Sequence, residues 1–198
     1  SFHGHDDTVR ALVNGGADVD FETSMGHTAL LQCCLAGHAQ TARVLCVAGA
    51  DVDRQNGSAE TALTTACRAG RASAVMALLT KGANVNYETR SGRTALHEAM
   101  RCDRPKVVET LLLDAALNVN RMPASSAKLR SPLMIGVANG SDRALSVLLQ
   151  KNVINPLDEN KIGLDLHLET PLGETALVVS IAEGTASSGL LVIRAMIR

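Results

Sequence analysis

Aromatic side chains are nearly absent from this chain. Phe2, Phe21 and Tyr87, with no tryptophan, make up 2% of the 198 residues. A core built around large rings is therefore out of reach, and the 46% of apolar residues has to pack as Leu, Val, Ala, Ile and Met. Such a core suits thin, closely stacked helices better than a sandwich of sheets. An excess of one charge is missing too: 19 Lys and Arg face 20 Asp and Glu, for a formal charge of -1. That balance argues against general affinity for nucleic acid or an anionic membrane and leaves room only for a local patch. No apolar run approaches the roughly 20 residues that cross a bilayer. The first residue is not Met, and no signal-peptide pattern is visible. Cys33, Cys34, Cys46, Cys67 and Cys102 are odd in number and show no C-x-x-C spacing. They point to neither a disulfide framework nor a zinc site, and fit reduced thiols in the cytoplasm or nucleus. No phosphate loop is present, and no nucleophile, base and oxyanion site assembles. Neither enzymatic activity nor a cofactor is expected of this segment.

What is present is a period. Gly26-His27-Thr28-Ala29-Leu30 recurs as Ala59-Glu60-Thr61-Ala62-Leu63 and Gly92-Arg93-Thr94-Ala95-Leu96, with Thr28, Thr61 and Thr94 spaced 33 residues apart. A fixed period of that length marks an array of stacked units. Each unit follows one grammar. A Thr or Ser caps a first helix, in most units a Gly ends it, a second helix follows, and a turn closes the unit. The turns are Gly16-Ala17-Asp18-Val19-Asp20, Gly49-Ala50-Asp51-Val52-Asp53 and Gly82-Ala83-Asn84-Val85-Asn86. In the third unit Ala115-Ala116-Leu117-Asn118-Val119-Asn120 carries an extra residue, and Ala115 stands where Gly is usual.

These motifs resemble the ankyrin repeat closely. Thr94-Ala95-Leu96-His97 and Gly82-Ala83-Asn84-Val85-Asn86 match its pattern best. Ala29, Ala62 and Ala95 replace the usual Pro, which returns at Pro132; Ala is a good helix former, so the fold is not endangered. The resemblance implies an all-α repeat solenoid of stacked helix-turn-helix units with projecting β-hairpin loops. It divides the single domain 1–198 into a partial unit 1–22, units 23–55, 56–88, 89–122 and 123–157, and a last segment 158–198. Val9, Leu12 and Val13 at one end, and Ile193, Met196 and Ile197 at the other, read as uncapped faces, so a piece of a longer array is expected.

Three departures break the period. Met122–Arg130 adds a basic loop at the start of the fourth unit. Pro156–Leu172 adds a longer insertion in which Ile162, Leu164, Leu166 and Leu168 alternate with Gly163, Asp165, His167 and Glu169. Period-two alternation predicts a strand, hence an elongated hairpin finger over 160–169. Its Leu164, Leu166, His167 and Leu168 either pack on neighbouring helices or bind a partner by strand addition. In the last unit the second helix is read as Leu190 to Ile197, delayed by a small insertion around Ala186–Gly189.

The resemblance also implies where a ligand sits: on the hairpin tips and the concave face of the first helices. By position, the residue before each capping Thr or Ser reads His27, Glu60, Arg93, Arg130 and Glu174. The solvent-facing residue late in each first helix reads Leu35, Arg68, Arg101 and Ala138. The tips offer Ser24, Met25, Arg90 and Ser91, with Tyr87 and Glu88 beside them. Between Arg90 and Arg130 eight basic residues face four acidic ones. This is either a solvated charged face or a groove for an acidic or phosphorylated peptide, because Arg gives bidentate contacts to carboxylate and phosphate. His97 is expected to be structural, as are His5 and His38. Asn86 and Asn120 match a turn Asn that is hydroxylated in some ankyrin proteins. The expected function is non-catalytic protein recognition, as an adaptor or scaffold. The alternatives are a regulatory or targeting segment of an enzyme such as a kinase or ubiquitin ligase, and a structural spacer. The expected partner is a protein or peptide, not nucleic acid and not a membrane interior, and the segment is expected to be monomeric within a larger chain in the cytoplasm or nucleus.

Overall fold

The computed structural model describes residues 4–123, 130–153 and 164–197. Among them are eleven α-helices and no strand. The second helices of successive units are α1 (Gly4–Asn14), α3 (Ala39–Val47), α5 (Ala72–Leu79), α7 (Pro105–Leu111), α9 (Asp142–Val153) and α11 (Ala186–Ile197). The first helices are α2 (Ala29–Ala36), α4 (Ala62–Ala69), α6 (Ala95–Arg101), α8 (Pro132–Ala138) and α10 (Ala176–Ala182).

The capping residues start each first helix. The hydroxyls of Thr28, Thr61, Ser131 and Thr175 accept from the backbone N–H three residues on, at 3.2, 3.3, 3.4 and 3.4 Å. At Thr94 the ring of His97 closes the box, its Nδ1 accepting from the Thr94 N–H at 3.1 Å. Gly37 and Gly70 end α2 and α4 in the left-handed region, at φ 91° and 76°. A second constraint acts at both: a Cβ there would stand 2.8 Å from the Arg71 Cδ and 2.9 Å from the Arg104 Cδ. Those arginines reach back across the interface, their Nε donating to the Leu35 and Arg68 carbonyls at 3.3 and 3.2 Å. Each glycine therefore ends one helix and admits the side chain that caps it from the next unit. In the third unit Asp103 takes this place at φ 49°. Its carboxylate accepts from the Arg143 Nε and the Ala144 N–H at 2.7 and 2.8 Å.

Like packs on like. The first helices stack in chain order from α2 to α10, and the second helices from α1 to α11. Equivalent positions fill the seam: Leu30, Leu63, Leu96 and Leu133 are buried, as are Cys34, Cys67, Met100 and Val137. No helix among the described residues is long and apolar enough to cross a membrane.

The turns form a second ladder. The backbone N–H of Asp51 donates to the Asp20 carboxylate at 3.1 Å, and that of Asn84 to Asp53 at 2.9 Å. Asn118 donates likewise to the Asn86 Oδ1 at 2.8 Å, and Asp165 to the Asn120 Oδ1 at 2.9 Å. The last rung corrects the strand reading of the finger. Residues 164–170 are turns and irregular backbone, and Leu164-Asp165-Leu166-His167 is the closing turn of the fourth unit. The His167 N–H donates to the Asp165 Oδ1 as the Asp53 N–H does to the Asp51 Oδ1. Leu164 is buried where Ala50 and Ala83 are buried, and Leu166 and Leu168 pack on the core. The alternation is real, but it is the in-and-out alternation of this turn. Residues 160–163 of the predicted finger lie outside the described residues, as do 124–129 of the basic loop.

The last unit brings another correction. The helix α11 starts at Ala186, so Ala186–Gly189 is its first turn and not an insertion before it. Small residues are needed there for close approach. Ser188 is fully buried and donates to the Asp142 Oδ1 at 2.5 Å. A Cβ on Gly189 would fall 2.6 Å from the Ser180 Oγ.

Candidate functional site

A groove of about 360 Å³ crosses the junction of units 2 and 3. Ser58, Glu60 and Arg68 line it from one unit, and Thr89, Arg90, Ser91, Arg93, Glu98 and Arg101 from the next. Repetition places these residues. Arg68 and Arg101 lie at the same register late in α4 and α6. Glu60 and Arg93 precede the caps Thr61 and Thr94, which fixes their backbone. The tip is held as well: the Thr89 N–H donates to the Arg93 carbonyl at 2.9 Å, and the Arg90 N–H to the Ser58 carbonyl of the preceding unit at 3.3 Å.

Two carboxylates organise the cations. Glu60 accepts from both terminal nitrogens of Arg68 and from the Asn56 Nδ2. Burial alone would raise the Glu60 pKa, but the Arg68 and Asn56 hydrogen bonds outweigh it and hold the group below its ordinary value. Glu98 is more enclosed, with a side chain 7% exposed. Its Oε2 accepts from Arg101 at 2.8 and 3.2 Å, and its Oε1 from Arg93 at 3.4 Å. The Glu98 hydrogen bond keeps the Arg101 guanidinium more firmly protonated still. Arg90 is exposed and pairs with no carboxylate among the described residues. Four guanidiniums against two carboxylates leave an excess of two positive charges in one groove.

Of the residues expected at a ligand site, the groove gathers Glu60, Arg68, Arg90, Arg93 and Arg101. Met25 and Leu35 lie on the first unit, exposed by 67% and 38%, outside the lining. His27 is half-buried there, its Nδ1 at 2.8 Å from the Gln32 Nε2. Tyr87 is half-buried on the turn side and does not reach the groove. Arg130 is engaged elsewhere: with a side chain only 12% exposed, it bonds Glu183 at 2.9 Å and ties unit 4 to unit 5. Leu164, Leu166 and Leu168 are packed, and His167 is exposed.

Sequence reasoning passed over Glu98 and Thr89. The signal for Glu98 was its spacing of three from Arg101, which puts the two on one helix face. His97 is fully buried in its capping box, and burial drives its pKa down to about 4. Its Nε2 makes no hydrogen bond among the described residues. Burial likewise pushes the Cys67 thiol far above its ordinary pKa, so it is inert. The turn amides are structural anchors, since Asn86 accepts from Asn118 through Oδ1 and donates to the Ala116 carbonyl through Nδ2. No group of His, Cys, Asp and Glu among the described residues is able to hold a metal.

Comparison with known proteins bears on this arrangement. A family model for ankyrin repeats in three copies matches residues 1–56 and 47–123. No curated protein matches the sequence. Among solved structures, the crystal structure of the ankyrin repeat domain of Bcl-3, described as a unique member of the IkappaB protein family, is similar. The TM-score is 0.79 at 23% identity, over 98% of this chain and 81% of that one. At that identity the likeness speaks for the fold alone.

Proposed function

The chain belongs to the ankyrin repeat family, whose repeats are protein-interaction modules, and from that premise we propose that it recognises an acidic or phosphorylated peptide in the groove between units 2 and 3. The observation that carries this reading is the set of four arginines converging on one concavity, two of whose carboxylates already face them. Glu60 and Glu98 hold the guanidiniums of Arg68, Arg93 and Arg101 in place before a ligand arrives, which lowers the ordering cost of binding. The residual charge of about +2 matches one phosphate dianion or two carboxylates. Binding is non-catalytic, and the segment acts as a monomeric adaptor or scaffold in the cytoplasm or nucleus. The five free cysteines support such a reducing compartment.

The test is a fluorescence anisotropy titration with glutamate-rich and phosphoserine peptides against the protein and its Arg90→Glu variant. Arg90 holds no ion pair among the described residues, so its replacement leaves the thermal midpoint unchanged. Affinity is expected to fall at least about tenfold, and binding to weaken steeply with salt. Equal affinity in the variant removes the groove as the binding site; no saturable binding of either peptide removes the reading altogether and favours a structural spacer.

A further inference from the structure

The exposed columns change chemistry along the stack. Late in the first helices the column runs Leu35, Arg68, Arg101, and at the tips it runs Met25, Ser58, Ser91. The first unit therefore offers an apolar surface, with Leu35 38% and Met25 67% exposed, where the next two offer arginine in the helix and serine at the tip. The cations themselves fall into two centres. Arg68 with Glu60 belongs to one unit, and Arg93 and Arg101 with Glu98 to the next. Each guanidinium retains N–H groups for which no bond forms among the described residues. The Nε of Arg68 and the Nη1 of Arg101 are two of them.

We propose that the groove measures spacing. It takes an extended peptide running along the stack, with anionic side chains at positions i and i+3 on the two arginine centres. An apolar side chain three residues further out rests on Leu35. The proposal rests on the acidic-peptide reading and adds its register. Neighbouring packed helices stand about 8–10 Å apart, so equivalent side chains recur at that distance. A polyproline II chain rises about 3.1 Å per residue with three residues per turn. Its residues i and i+3 therefore lie on one side, about 9 Å apart, in step with the units. A β-strand does not match. At about 3.3 Å per residue its same-side positions, i+2 and i+4, fall at about 7 and 13 Å, and its i+3 side chain points away.

Anisotropy titrations with labelled octapeptides test this. Each carries Leu and two glutamates, or Leu and two phosphoserines, with the anions spaced by two, three or four residues and in both chain polarities. In at least one polarity the spacing of three binds about tenfold more tightly than the other two. Leu35→Ser, at an exposed position, weakens binding of the spacing-of-three peptide by about threefold or more with an unchanged melting curve; unchanged affinity overturns the apolar contact. Equal binding at all three spacings overturns the register while leaving the acidic-peptide reading intact. Failure of every anionic peptide to bind above a neutral control overturns both.

Discussion

His97 shows how one residue serves the fold at the expense of its own charge. Its Nδ1 caps α6 through Thr94, and burial holds its pKa at about 4 against 6.5 when free. A depressed pKa means that the unfolded chain binds the proton more readily than the folded one. Stability is therefore complete above about pH 6.5, declines as the pH falls toward 4, and loses up to about 3 kcal/mol across that window. Urea titrations at about pH 7 and pH 4.5 are expected to show the loss, and His97→Gln to flatten it. Glu98 is the counterpart on the functional side. Replacing it with Gln leaves Arg93 and Arg101 without their shared carboxylate. The variant is expected to bind acidic peptides several-fold more weakly, although its groove is more positive, because the guanidiniums are no longer held. Tighter binding by Glu98→Gln would show that the carboxylate only opposes the ligand. The two residues differ in legibility. The capping role of His97 was readable from Thr94-x-Leu96-His97, whereas Glu98 showed only its spacing, and its burial came from the stack.

At the level of elements, glycines in the same left-handed region carry different loads. Gly70 and Gly49 both adopt left-handed backbone, at φ 76° and 96°. A Cβ at Gly70 meets the Arg104 side chain at 2.9 Å, whereas nothing lies within 4 Å of one at Gly49. Gly49→Ala is expected to cost only backbone strain, about 1 kcal/mol. Gly70→Ala adds displacement of Arg104 and is expected to cost about 2–3 kcal/mol, both read from denaturant midpoints. The turn at 164–167 gives a second contrast. Leu164 is buried and His167 exposed, so Leu164→Ala is expected to cost about 2–3 kcal/mol and His167→Ala almost nothing. Equal, negligible effects would return Leu164 to a free finger. This turn was the element hardest to read. Leu164 replaces the Ala of the first three turns, as Leu117 does in the next, and His167 replaces their Asn or Asp, so the motif vanished while its inward-outward alternation stayed. The first turn of α11 was hidden similarly, since Ser188 and Gly189 look like linker until Asp142 and Ser180 are seen against them.

At the level of the whole molecule, regularity makes the scaffold and irregularity makes the site. The period of Thr28, Thr61 and Thr94 made the stacked architecture legible, because caps, glycines and turns recur where the same packing problem recurs. It also placed Arg68 and Arg101 in one column. It was silent on what each arginine faces. Arg130 stands in the column of Glu60 and Arg93, yet Glu183, 53 residues on, takes it into the junction of units 4 and 5. Only contacts between distant residues separate the arginines of the groove from those of the scaffold.

That separation is measurable in one experiment, an NMR titration of the arginine Nε–H signals with a Leu-x-x-Glu-x-x-Glu peptide and its reversed-polarity partner. Arg68, Arg90, Arg93 and Arg101 are expected to shift together along one saturable curve, while Arg54, Arg121 and Arg143 stay still. Shifts spread over all arginines, or confined to the second group, would contradict that separation.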